Sequence, residues 1–338
     1  MTSAPRRLAA VLALPLALLA ACANAPSDTS AGTTTTTSVA PSESGSASTS
    51  ESPTASATPT VKAATSPVVQ TPLGVSATGV FGDKPAITVP ATTAPTDLKV
   101  NVLSPGTGTV VAKGEYVVVN YLGRIWKPKA GKTPVFDNSY DRHAPIGFTA
   151  GSGGMIKGWE QGLMGQKVGS RVLLSIPPSL GYGTTGNSEL SGQTLVFVVD
   201  LVDAVAKDAS ATGTVISSLP AGFPQVVSVS GQKPSFGSVA GVKVGAKPVS
   251  TLLIKGNGPA VIDSSKQLLL QFLQADEKGK VSTSTWDSGP QTVPASQVLA
   301  SLDALKGQPV GSRAMMVAPG QNGSTSGVLL IVDVLSQY

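Results

Sequence analysis

After residue 70 the chain is dominated by short apolar runs of strand length, and helical spacing is rare. Val117 to Leu122, Arg171 to Ile176 and Leu195 to Val202 are apolar and rich in β-branched residues, which predicts strands. The run from Arg171 ends at Pro177-Pro178, where a central strand cannot continue. A helical stripe surfaces at Ile156, Trp159 and Leu163, within the glycine-bracketed stretch Met155 to Gly169. It returns at Val298, Leu302 and Leu305. Helices are therefore expected over 156–164 and 298–305, with Gly165 and Gly169 as stops after the first. A lone short helix among strands can bury its stripe only on a sheet, so the pattern predicts an α+β fold with a twisted antiparallel sheet around one helix.

The same series of segments occurs twice, about 150 residues apart. Gly82-Asp-Lys-Pro85 recurs as Gly231-Gln-Lys-Pro234, and Val117-Val-Val-Asn-Tyr121 as Leu268-Leu-Leu-Gln-Phe272. Phe136-Asp137 recurs as Trp286-Asp287, and Gly165 to Arg171 as Gly307 to Arg313. Thr194 to Leu201 recurs as Gly327 to Val334. Order is kept throughout, so two copies of one fold are expected, over 70–205 and 206–338, each with one short helix.

Composition changes the picture mainly by exclusion. Charged residues make up only 13% of the 338, and Gly (37) and Pro (26) are abundant. The net charge of +5 reflects scarce acids. No basic stripe is interleaved with aromatics, so nucleic acid is not an expected partner. With one cysteine, Cys22, and one histidine, His143, there is no intramolecular disulfide or cysteine metal cluster. A Ser-His-Asp triad would have to run through His143. No metal or cofactor is expected.

At the N-terminus Arg6-Arg7 precede an apolar run, Leu8 to Leu19, too short to span a bilayer comfortably. It ends Leu19-Ala20-Ala21-Cys22, which resembles the lipobox of bacterial lipoproteins. That resemblance implies a lipoprotein signal peptide over 1–21 and diacylation at Cys22. It implies a protein held at the extracytoplasmic face of the cell membrane, since two acyl chains anchor stably where one does not. The simpler alternative is an ordinary signal peptide cut nearby. Residues 22–69 are Thr/Ser/Pro-rich with few large apolar side chains, which predicts a disordered tether.

Residues 98–205 resemble an FKBP-type peptidyl-prolyl cis-trans isomerase. The segments that carry this are Val119-Asn-Tyr121-Leu-Gly123, Val135-Phe136-Asp137-Asn-Ser139, Gly147-Phe148, Met155-Ile156-Lys-Gly-Trp159, Pro177-Pro-Ser-Leu-Gly-Tyr182-Gly183 and Leu195-Val-Phe197. The resemblance implies a sheet wrapped around the helix and a pocket between them floored by Trp159. Tyr121, Phe136, Phe148, Met155 and Phe197 would bind substrate. Asp137, Tyr182, Ile156 and Trp159 would carry catalysis, with the Tyr182 hydroxyl and the Ile156 N–H donating to substrate carbonyls. Such a pocket suits the chemistry, because rotating an X-Pro bond breaks nothing and meets a barrier of about 18–20 kcal/mol set by amide resonance. Proline-containing proteins are the implied clients, and macrolide inhibitors a candidate ligand class.

Asp141 and Arg142 read as a structural or pocket-edge pair, neither of them catalytic, and His143 as a solvated loop residue. The chain departs from the family pattern at Ile146, where many members carry Phe, and in the loop from Asn187-Ser188, which is short and lacks a His. It also carries extra residues over 124–134, including Trp126, Lys127, Lys129 and Lys132, which alter the pocket rim. In the second copy Phe272 replaces Tyr121, Trp286 replaces Phe136, and Trp159 aligns near Ser301. The tyrosine loop shrinks to Pro319 to Ser324. The expectation is a silent second copy beside a working isomerase, the rival being a non-catalytic, peptide-binding lipoprotein on the same scaffold.

Overall fold

A computed structural model describes residues 69–70, 74–320 and 326–338. The signal segment, Cys22, the tether up to residue 68 and part of the loop after Pro319 lie outside the described residues.

The described residues begin with a small antiparallel sheet of β1 (Val69–Gln70), β2 (Ser76–Thr78) and β3 (Ala86–Thr88), in that order. The first large sheet is built from β4 (Lys99–Ser104), β5 (Glu115–Ile125), β6 (Val135–Asn138), β7 (Ile146–Thr149), β8 (Arg171–Ile176) and β9 (Leu195–Ala206). Its order is β4-β8-β9-β5-β6, with β7 also on β5. All pairings are antiparallel. The helix α1 (Lys157–Leu163) lies on one face. It comes so close that a Cβ on Gly158 would sit 2.4 Å from Ile176 and one on Gly162 would sit 2.6 Å from Leu174. Glycine at these two places is what lets the helix bury Trp159 and Leu163, each 1% exposed.

Apolar runs in place of alternation have a structural cause. The inner face packs Tyr121, Leu174, Phe197 and Val199 against α1. The outer face packs Leu122, Leu173, Val196 and Val198 against Val75, Ala77, Ile87 and Trp126. With both faces covered, apolar side chains are favoured on both sides of a strand, and the polar exceptions Arg171 and Asp200 are paired with each other. The single-sided picture expected from sequence, a sheet and a helix, omits this outer strap.

The second large sheet contains β10 (Gly213–Val215), β13 (Val249–Gly256), β14 (Gln267–Asp276), β15 (Val281–Ser284), β16 (Gln291–Pro294), β17 (Arg313–Ala318) and β18 (Val328–Gln337). The order is β10-β13-β17-β18-β14-β15, with β16 also on β14. From β13 onward this is the order of the first sheet, strand for strand. A hairpin of β11 (Val226–Val227) and β12 (Ser235–Phe236) lies between β10 and β13 in the chain, and its side chains help cover the outer face. The helices differ from expectation. The second sheet carries two short ones, α2 (Thr285–Ser288) and α3 (Ala295–Ser301), the latter followed by a 3-10 turn at Asp303–Leu305. The spacing of Val298, Leu302 and Leu305 thus spans a helix end and a separate turn. Leu302, with φ −114° and ψ 65°, interrupts the helix between them.

A buried ion pair ties each strap to its sheet. Arg171 on β8 grips Asp200 on β9 through Nε (2.6 Å) and Nη2 (2.8 Å), and Nη2 also donates to the Asp83 carbonyl (2.6 Å). The Gly82 N–H donates to the same carboxylate at 2.7 Å. In the second sheet Arg313 grips Asp333 at 2.5 and 2.7 Å, and its Nη2 donates to the Gln232 carbonyl at 2.6 Å. The echo of Gly82–Pro85 in Gly231–Pro234 thereby has a physical reason. Each arginine reads a backbone carbonyl of that loop, so Asp83 and Gln232 interchange freely. Both large sheets lie within one compact unit.

Candidate active site

The site assembles around Trp159, in the first turn of α1. Tyr121 from β5 meets it edge-on, with ring centroids 5.2 Å apart at 80°. Phe197 from β9 does the same at 5.2 Å and 83°. Phe148 from β7 tilts against it at 5.9 Å, and Phe136 from β6 meets Phe197 edge-on at 5.6 Å. Edge-to-face contacts of this kind add roughly 0.5–1.5 kcal/mol each beyond area burial and fix ring orientation. Gly123 makes room for the last pair, since a Cβ there would lie 2.6 Å from Phe197 and 2.8 Å from Phe136. Met155 and Ile156 pack half-buried against the cluster. The Trp159 indole N–H is buried and has no hydrogen-bond partner among the described residues.

Ile156 is the N-cap of α1. Its carbonyl accepts from the Trp159 N–H at 2.9 Å, while its own N–H has no partner among the described residues. Tyr182 stands apart from the ring cluster. It follows the 3-10 turn Pro178–Leu180 on a loop closed by Gly183 N–H to the Pro178 carbonyl (2.8 Å), and it is 45% exposed. The predicted residues Tyr121, Phe136, Phe148, Met155, Ile156, Trp159 and Phe197 are thus brought together, with Asp137 at their edge and Tyr182 outside the stack.

Asp137 is held by two donors. The Tyr121 hydroxyl and Arg142 Nη1 each hydrogen-bond one of its oxygens, and Arg142 Nη2 donates to the Tyr121 hydroxyl at 3.0 Å. Burial pushes the Asp137 pKa up, but those hydrogen bonds and the Arg142 charge outweigh it and hold the carboxyl below its ordinary value. Burial and donation to Asp137 push the Tyr121 hydroxyl up to about 12. The Asp137–Arg142 pair is 39% and 46% exposed, so its worth is orientation more than stability. The sequence reading that joins Asp141 to Arg142 is overturned. Asp141 pairs with Lys84 at 2.7 Å instead. Neighbours in sequence diverge here because the turn at 139–144, with His143 at φ 49°, reverses the chain. Arg142 does stand at the pocket edge, but its partner is Asp137 and not Asp141; adjacency was the misleading signal.

Strand register corrects the expected match in the second sheet. Leu122 faces Asn138 as Leu273 faces Ser284, so Phe136 and Asp137 correspond to Ser282 and Thr283. A hydroxyl pin confirms the frame. Ser139 Oγ accepts from the Tyr121 N–H (2.9 Å) and donates to Asn120, while Thr285 Oγ1 accepts from the Phe272 N–H (2.7 Å) and donates to Gln271. Trp286 therefore does not replace Phe136. It lies on the outer face with Leu253, Leu273, Met315 and Ile331, and donates Nε1 to Ser210 Oγ at 2.8 Å. The helix α3 carries no Trp, so the second sheet has no counterpart of Trp159 on its helix.

Comparison with known proteins agrees with the first sheet. A family model for FKBP-type peptidyl-prolyl cis-trans isomerase matches residues 108–202. A probable FK506-binding protein of Corynebacterium glutamicum is 40% identical over 123 residues, covering 36% of this chain and 99% of that protein. An FK506-binding protein of Streptomyces anulatus is 39% identical over 123 residues, covering 36% of this chain and 96% of its own length. The crystal structure of FkpA from Escherichia coli shares 39% identity over 33% of this chain and 50% of that one, with a TM-score of 0.28, which adds nothing on fold. With an aromatic box in place and relatives matched along nearly their whole length, this chain belongs to the FKBP-type peptidyl-prolyl cis-trans isomerase family.

Proposed function

We propose that the first sheet and its helix isomerise X-Pro bonds in secreted or envelope proteins, and that the protein does so from a lipid anchor at Cys22. The observation that carries the catalytic reading is the Tyr121–Asp137–Arg142 network set at the edge of the aromatic box. The box holds the pyrrolidine ring and strips water from the preceding carbonyl. A desolvated amide has weaker resonance, so its C–N bond twists more easily. Asp137, kept ionised and oriented by its two donors, interacts with the twisted amide. The free Ile156 N–H and the exposed Tyr182 hydroxyl donate to substrate carbonyls on either side. About 1.4 kcal/mol of preference for the twisted state gives tenfold in rate, and the unaided process takes tens to hundreds of seconds.

The second sheet reads as a degenerate copy. Phe272, Ser282 and Thr283 stand where Tyr121, Phe136 and Asp137 stand in the first, and α3 carries no Trp, so it lacks the hydroxyl, the carboxylate and the floor. The anchor reading is supported by Arg6-Arg7, the run Leu8 to Leu19 and the lone Cys22. The direct test is isomerisation of an X-Pro peptide by the full protein and by Trp159→Ala and Tyr182→Phe. A wild-type rate at background would move the protein to a non-catalytic, peptide-gripping role. Radiolabelled fatty acid should enter the wild type in cells and not Cys22→Ser; equal labelling would remove the anchor.

A further inference from the structure

The extra residues between β5 and β6 form a loop whose two ends are part of the pocket wall. Ile125, on the entering side, packs against the aromatic cluster, as does Phe136 on the leaving side. The base is fixed. Trp126 is 5% exposed, its N–H donates to the Thr194 carbonyl at 2.9 Å, and its Nε1 donates to the Thr92 carbonyl at 3.0 Å. The Ile125 N–H donates to the Pro134 carbonyl at 2.8 Å. A turn from Lys129 to Lys132, closed at 3.1 Å, forms the tip. Lys127, Lys129 and Lys132 are all exposed on it. The loop therefore springs from the pocket wall at Ile125 and Phe136, and Trp126 ties its base to Thr194, just ahead of β9, and to Thr92 of the outer layer.

The acids nearby do not cancel these charges. Asp137 is taken by Arg142, and Asp141 by Lys84. Glu189 reaches Lys132 only at 3.9 Å, with its side chain 90% exposed, a pair that water screens heavily. The rim is left net positive while the pocket interior is neutral and aromatic. A cationic rim beside an apolar slot favours a chain that is apolar at proline and anionic next to it.

Resting on the isomerase reading, we propose that Lys127, Lys129 and Lys132 select clients carrying Asp or Glu beside the proline. The slot accepts the ring, and the lysines sort sequences by the charge of the flanking residues. The alternative occupant of such lysines is an anionic membrane surface. The peptide is favoured because both ends of the loop, Ile125 and Phe136, are packed against the aromatic cluster and its base is fixed by the Ile125–Pro134 and Trp126–Thr194 bonds.

The test measures affinity as well as turnover, so it reads even if catalysis is absent. Fluorescence anisotropy would compare labelled peptides with Glu, Ala or Lys on both sides of one X-Pro unit, using the full protein at low and at physiological salt. The expected result is a Glu-over-Lys preference of roughly 3- to 10-fold at low salt, shrinking as salt rises. The triple Lys→Gln variant should bring the ratio close to one, and the triple Lys→Glu variant should reverse it. A wild type without charge preference, or a preference that survives the triple Lys→Gln change, overturns the proposal. So does loss of phosphatidylglycerol-vesicle binding in that variant with the peptide ratio intact. Isomerisation of the Ala peptide by the wild type is read separately, and its absence would strike the catalytic reading while leaving the measured affinity ratios as they stand.

Discussion

The two large sheets share strand order, a buried arginine–aspartate clamp and a hydroxyl pin between neighbouring strands, yet among the described residues only the first holds an aromatic box. What they share must serve the fold, and what they do not share is free to serve chemistry. Ser139 and Thr285 make the same bonds because both hold the edge hairpin onto the central strand. Tyr121 and Phe272 occupy equivalent register positions, and the hydroxyl that separates them is the one that donates to Asp137. The comparison thus splits a single ring into a packing part, kept in both sheets, and a polar part, kept in one.

The largest expected effect concerns the shared features. Arg171→Met and Arg313→Met should each cost about 3–5 kcal/mol in urea unfolding, because each leaves a buried carboxylate unpaired. The paired change Arg171→Met with Asp200→Leu should recover most of that. A loss under about 1 kcal/mol for either single variant would mean that the clamps do not hold the straps.

Next in size are the unshared features. Trp159→Leu should lower kcat/KM by about 100-fold, close to 2.7 kcal/mol of transition-state stabilisation, with folding retained as judged by circular dichroism. Asp137→Asn should lower it about tenfold and Tyr121→Phe somewhat less, as loss of a hydrogen bond to a charged group allows. Equal activity in Tyr121→Phe would show that the hydroxyl is a passenger.

A pH series sharpens the same point. The Asp137 pKa lies below its ordinary value in the folded protein, so Asp137 is ionised throughout the neutral and mildly acid range. Its contribution to stability is present above the unfolded carboxylate pKa of about 3.9 and is lost as pH falls through the folded value. Activity should likewise stay flat down to about pH 4 and fall below it. Arg142→Leu should move that acid limb to higher pH, and an unmoved limb would detach Arg142 from Asp137.

The smallest effect sits where the sheets meet. Asp203, at the end of β9, accepts a hydrogen bond from Ser336 on β18. Burial pushes its pKa up despite that bond and one from the Ala204 N–H. A raised carboxylate means the folded state binds its proton more tightly, so stability should decline as pH rises from the unfolded pKa through the folded one. Asp203→Asn should remove that slope while changing stability at neutral pH by less than about 1 kcal/mol. An unchanged slope would place the titration elsewhere.

Much of this was legible in the residues. The strand Arg171–Ile176 and the helix around Trp159 emerge close to their expected bounds, because prolines and glycines punctuate them sharply. The site's rings were readable from motif order. Three things were not. The outer strap is made of strands too short to show a period, and only the consecutive apolar residues Val172 to Leu174 and Leu195 to Val199 hinted at a second covering layer. The Asp137–Arg142 pair depends on a chain reversal that adjacency conceals. The match of Phe136 to Trp286 looked natural because both are aromatics followed by Asp. Register, fixed by hydroxyl pins deep in the sheet, puts them on opposite faces.

The strap also sets where a working fragment can be cut. The family model's span begins at residue 108, after Val75, Ala77 and Ile87, and after the carbonyls that satisfy Arg171 and Trp126. A piece trimmed to that span would present a bare apolar sheet face and a buried cation missing one of its acceptors. Such a fragment is an invitation to aggregate. Any graft or expression product built from this chain should begin no later than residue 74.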